Sequence, residues 1–210
     1  MRLHDYAASG NCYKVRLLLA LLGTPCERVP VDIFNGETLT DAFAGLNPAR
    51  TTPVLELDDG QTLPESAAIL WYLAEGTSYL PDDRFARAQV LRWLCFERAF
   101  TPAVAGARFQ VMTERTDGET PLLMSKGSSA LATLDRRLDA REWVAIDVPT
   151  IADVALFGYA HVAGDAGFEL AAYPSVEAWL DRVRALPGYV NDLIPYPPNA
   201  MPGTSRSIYD

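Results

Sequence analysis

Histidine is almost missing from this 210-residue chain, which carries only His4 and His161. Its three cysteines, Cys12, Cys26 and Cys95, include no pair at CxxC spacing. A protein zinc site is usually built from several such ligands at close spacing, so no metal is expected. A Ser-His-Asp triad would have to use one of the two histidines, and no G-x-S-x-G elbow offers its serine. An odd, sparse set of cysteines excludes a disulfide scaffold and fits a reducing, cytoplasmic setting. No apolar run approaches the roughly 20 residues that span a bilayer. The opening residues lack the apolar segment and cleavage site of a secretory signal. Basic residues are outnumbered, 18 against 27 acidic, for a formal charge of −9. Such a surface repels phosphate backbones and anionic lipid, so neither nucleic acid nor membrane is an expected partner. What the chain does have is 49% hydrophobic residues, enough to bury a sizeable core.

The first 80 residues alternate strand and helix signals. Residues 2–6 read as a strand, followed by Gly10 and a helix whose Val15, Leu18, Leu19 and Leu22 share one face before Gly23. Residues 28–32 read as a second strand, confined to a sheet edge by Pro30. Asp59-Gly60 predicts a tight hairpin between residues 54–57 and 61–63. A helix through Ile69, Leu70 and Leu73 then stops at Gly76. The order β-α-β-(α)-β-β-α describes a thioredoxin-like sheet. Beyond Tyr79-Leu80-Pro81 strand signals become scarce. Helical stripes follow at Ala88, Leu91, Leu94 and Cys95, at Leu131, Leu134 and Leu138, and at Val176, Trp179, Leu180 and Val183. Thr150-Ile151-Ala152-Asp153 has the form of a capping box with Asp in place of Glu. The last fifteen residues, rich in proline, read as an irregular tail. The expected domains are an α/β unit over 1–78 and an all-helical unit over 84–210.

Three short segments can carry chemistry. Ser9-Gly10-Asn11-Cys12 stands where the first strand meets the first helix. A helix N-terminus offers unpaired N–H groups and partial positive charge, so it stabilises an anion. Ser9 is either a plain N-cap or a hydroxyl that donates to a substrate thiolate, and Asn11 is a second donor. A free thiol has a pKa of about 8.5. Lowering that by about two units takes about 2.7 kcal/mol. Charge-assisted hydrogen bonds supply about 1.5–3 kcal/mol each, so one or two suffice. Thr52-Pro53-Val54 precedes a strand, and a cis proline there would open the backbone of Val54 to a peptide-like ligand as an added strand. Glu65-Ser66 begins the next helix and either caps it or binds an α-amino acid head group through carboxylate and hydroxyl.

Taken together, these segments resemble the glutathione transferase family over nearly the whole chain. The residues that carry the resemblance are 9–16, 46–54 and 65–73, with Thr150 and Asp153 of the capping box. It implies a thioredoxin-like domain plus an all-helical one, with glutathione as co-substrate and a two-fold homodimer used in detoxification. It places the γ-glutamyl head at Glu65 and Ser66 and the cysteinyl backbone at Thr52, Pro53 and Val54. The sulfur then lies beside Ser9 and Asn11, a serine/asparagine arrangement. Tyr6 and Cys12 are minor candidates for the thiol chemistry. A small hydrophobic electrophile is expected to bind between the domains near Phe100, Phe109, Met112 and Tyr159. Alternatives are a glutathione-dependent thiol/disulfide oxidoreductase or peroxidase, and a non-catalytic interaction module.

Overall fold

Four short strands form the sheet of the computed structural model, which describes residues 1–115, 118–204 and 206–208. Strand β1 (Arg2–Asp5) lies between β2 (Glu27–Pro30), to which it is parallel, and β3 (Val54–Glu56), to which it is antiparallel. β4 (Thr62–Pro64) pairs antiparallel with β3, giving the order β2-β1-β3-β4. Pro30 lies in edge strand β2, where its missing N–H is tolerated. Gly60 has φ 84°, the left-handed conformation that the hairpin between β3 and β4 requires.

Alternation along the strands sorts side chains to two faces. Leu3 and Leu55 meet Val15 and Leu19 of helix α1 (Gly10–Leu21) and Ile69 of helix α3 (Ser66–Ala74). On the other face Val54 packs with Val31 and with Phe43 of helix α2 (Asp41–Leu46). The chain thus realises the expected thioredoxin-like order.

Packing divides the chain differently from the domains expected over 1–78 and 84–210. The first unit is Met1–Leu73 together with the described part of the segment from Val190, and the second is Ala74–Tyr189. The tail joins the first unit because that unit holds its partners. The Tyr13 hydroxyl donates to the Val190 carbonyl at 2.7 Å, and the Arg206 N–H donates to Phe34 O at 2.8 Å. Asn199 donates to Asp32 at 2.8 Å.

The second unit is helical: α4 (Arg84–Met112), α5 (Thr120–Leu138), α6 (Ile151–Ala160) and α7 (Pro174–Arg184). α4 packs on α5 and α6, and α7 on α5 and α6. The buried stripes of α5 and α7 are those expected. In the first part of α4, through Phe100, the buried residues are Val90, Trp93, Leu94, Glu97 and Phe100, whereas Ala88, Leu91 and Cys95 are exposed. A buried carboxylate interrupts that stripe, hydrogen-bonded to the Thr101 hydroxyl, so a search for apolar spacing picks the neighbouring face. The Thr150–Asp153 capping box forms, with Asp153 Oδ2 accepting from the Thr150 N–H at 2.9 Å. His161 stacks on Phe157 and sits 2.7 Å from its carbonyl; burial pushes its pKa down to about 4, so it is a neutral packing residue at pH 7. Among the described residues no helix is long and apolar enough to cross a membrane.

Candidate functional site

One end of the sheet gathers the three segments. β1 stops at Asp5, β3 begins at Val54 and β4 stops at Pro64, and the registers His4↔Val54 and Val54↔Pro64 set these points side by side. The turns that continue from them carry Ser9 and Asn11, Thr52 and Pro53, and Glu65 and Ser66.

The first turn is built on Ser9. Its backbone is extended (φ −83°, ψ 122°), and its Oγ accepts the Cys12 N–H at 3.3 Å, so it caps α1. A serine oxygen has two lone pairs and one O–H. Capping uses a lone pair and leaves the proton, and that O–H lies within reach of Cys12 Sγ and can turn from it to a ligand. The cap and the thiolate donor are therefore compatible roles for one side chain. Asn11, half-buried like Ser9, accepts from Lys14 Nζ at 2.8 Å through Oδ1. Its Nδ2 donates to no described group.

Cys12 is the opposite case. Its sulfur is buried, accepts the Tyr6 N–H at 3.3 Å, and is also reached by the Thr52 and Ser9 hydroxyls. Burial, reinforced by the charge of Asp5, pushes the thiol up to about 11 despite these hydrogen bonds and the helix N-terminus. The Thr52 contact ties the second turn to the first. Tyr6, also a minor candidate, is 6% exposed and lies edge-on to Phe34 at 5.7 Å, a core position.

The Thr52-Pro53 peptide is cis. Val54 is fully buried with a strand on each side, so an added strand finds no free edge at Val54 itself. Thr52 is the nearby residue whose backbone lies outside the ladder. Asn47 shapes this turn: its Nδ2 donates to the Thr51 carbonyl at 2.8 Å, and its Oδ1 accepts the Ala49 N–H at 3.0 Å. The third turn has its own mark. Glu65 has φ 72°, a left-handed backbone that an L residue adopts at a cost, and its side chain is exposed. Such strain clusters at ligand sites.

Behind the first turn runs a charge network that sequence spacing did not disclose. Arg16 is 5% exposed and donates to Asp5 at 2.5 Å, to Asp192 at 2.9 Å and to the Ala7 carbonyl at 3.2 Å. Arg28 pairs with the same two carboxylates, at 2.6 and 3.0 Å. Burial alone would lower the Arg16 pKa, but the two aspartates more than offset it. In the second unit Phe100 and Tyr159 are core, while Phe109 and Met112 are half-buried.

A thioredoxin-like sheet with a hydroxyl-capped helix beside a cis-proline turn, followed in the chain by a helical unit, defines the class of glutathione-handling enzymes. Sequence comparison agrees. The model of the glutathione S-transferase N-terminal domain matches residues 8–75, and that of the C-terminal domain matches residues 94–187. The chain belongs to the glutathione S-transferase family, and glutathione is its co-substrate. A glutathione S-transferase structure from Pseudomonas fluorescens is 41% identical, covers 92% of this chain and 98% of its own, and superposes with a TM-score of 0.89. A maleylacetoacetate isomerase from Rhizobium meliloti is 33% identical over 198 residues, 86% of this chain and 89% of that protein. The disulfide-bond oxidoreductase YfcG from Escherichia coli is 27% identical over 199 residues, 87% of this chain and 89% of that protein.

Proposed function

We propose that this enzyme activates the glutathione thiol at the N-terminus of α1 for attack on a small hydrophobic electrophile. One observation carries the reading: where backbone N–H groups already favour an anion, Asn11 Nδ2 donates to no described group and capping leaves the Ser9 O–H free to rotate toward a ligand. Their hydrogen bonds strengthen as the thiol becomes a thiolate, so they lower its pKa without forming a covalent bond. The cysteinyl backbone pairs at Thr52, beside Pro53 and Val54, and the γ-glutamyl ammonium and carboxylate meet Glu65 and Ser66. Binding energy from these remote groups orients the sulfur. The protein acts as a cytoplasmic homodimer in detoxification, a setting consistent with its free cysteines.

The test is titration of bound glutathione by thiolate absorbance. Ser9→Ala and Asn11→Ala are each expected to raise the thiol pKa by about one unit, equivalent to about 1.4 kcal/mol. Because the thiolate is the reactive form, the pH–activity profile of each variant moves to higher pH. An unmoved pKa in both variants would refute the assignment. A second reading, glutathione-dependent disulfide reduction, is favoured by the relative named as an oxidoreductase. With Cys12 held as a buried thiol, such turnover would run through glutathione sulfurs alone, and mass spectrometry after glutathione disulfide treatment would find no mixed disulfide at Cys12.

A further inference from the structure

Lysine is seldom buried, because its ammonium loses its hydration shell. Lys14 is nonetheless 0% exposed, three residues after Asn11 on the first turns of α1. Its Nζ lies 2.8 Å from Asn11 Oδ1. An ammonium has only protons to offer, so the amide atom facing it must be the carbonyl oxygen. That chemistry settles the orientation of the Asn11 side chain: Oδ1 turns inward to the lysine, and Nδ2 with its two protons is directed away from it. Without the lysine the amide could turn over at little cost and present an oxygen, which repels a thiolate.

We propose that Lys14 is a positioning residue that locks the Asn11 amide with its donor end toward the glutathione sulfur. This rests on the reading of Asn11 as a thiolate donor. The helix geometry makes the lock stiff, since residues three apart on a helix are surface neighbours and α1 is capped one turn earlier by Ser9. The ammonium also polarises the amide, making Nδ2 a stronger donor. Lys14 itself need not touch the substrate.

The experiment measures the thiol pKa of bound glutathione in Lys14→Met, Lys14→Gln, Asn11→Ala and the double variant Lys14→Met/Asn11→Ala, with glutathione affinity as a check on folding. Lys14→Met keeps the length and apolar stem but loses the donor, and is expected to raise the pKa by about as much as Asn11→Ala, with kcat/KM at neutral pH falling about tenfold. Lys14→Gln retains a donor for Oδ1 and is expected to restore most of the shift. The double variant is expected to match Asn11→Ala alone, because the lysine acts only through the amide. Additive shifts in the double variant, or an unshifted pKa in both Lys14 variants beside a shifted Asn11→Ala, would overturn the proposal while leaving the role of Asn11 standing. An unshifted pKa in Asn11→Ala would overturn the role of Asn11 and this proposal together.

Discussion

Two residues three positions apart, Ser9 and Cys12, show how environment and not identity decides chemistry at the start of α1. The serine is half-exposed with a proton to give, whereas the thiol is buried and pushed up to about 11. At neutral pH, Cys12 is therefore protonated and shielded. Iodoacetamide labelling of the native protein followed by peptide mass spectrometry should leave Cys12 unmodified, and labelling after denaturation should modify it fully; rapid native labelling would contradict its burial. That Ser9, Asn11, Glu65 and Ser66 lie at helix starts was legible because helix starts have a recognisable chemistry. Lys14 and Arg16 were not, since a basic residue in a helix ordinarily reads as solvated. Helix spacing sets Lys14 beside Asn11, but only tertiary placement shows that Lys14 is buried and that Arg16 faces Asp5. That Val54 is paired on both sides came from strand register, which a three-residue motif does not encode.

At the scale of elements, the start of α6 is held by one carboxylate. Asp153 accepts from the Thr150 N–H, the Val144 N–H and Trp179 Nε1, all at 2.9–3.0 Å, and burial raises its pKa. It thereby joins the helix start to the preceding loop and to α7. Asp153→Ala strands buried donors and is expected to cost about 3 kcal/mol. For a chain of this size that lowers the thermal midpoint by roughly 6–12 °C. A midpoint equal to the parent's would mean that water replaces the carboxylate without loss. The capping box was plain in the sequence because both partners lie within four residues. The buried face of α4 was not, because Glu97 sits in it and its Thr101 partner makes a polar residue at home in the core.

Across the molecule, the segment from Val190 completes the first unit, and no local pattern announced it. Its proline content suggested an irregular tail, which is correct for most of its backbone, but its anchoring depends on Asp192 meeting Arg16 and Arg28. Asp192→Ala leaves a nearly buried guanidinium with fewer acceptors, and a loss of about 1–2 kcal/mol is expected because Asp192 is itself partly exposed. Hydrogen exchange should quicken in β1 and in the tail while α5 and α7 keep their protection. Quickening spread evenly through the second unit would refute a local role. The same arrangement shapes biosynthesis. On the ribosome the sheet and α1 emerge first, yet Arg16 gains its Asp192 partner only after all the helices of the second unit have been translated. The nascent first unit must carry that unfinished cation until Asp192 is added, so chaperone dependence should be greatest for intermediates released before that residue emerges.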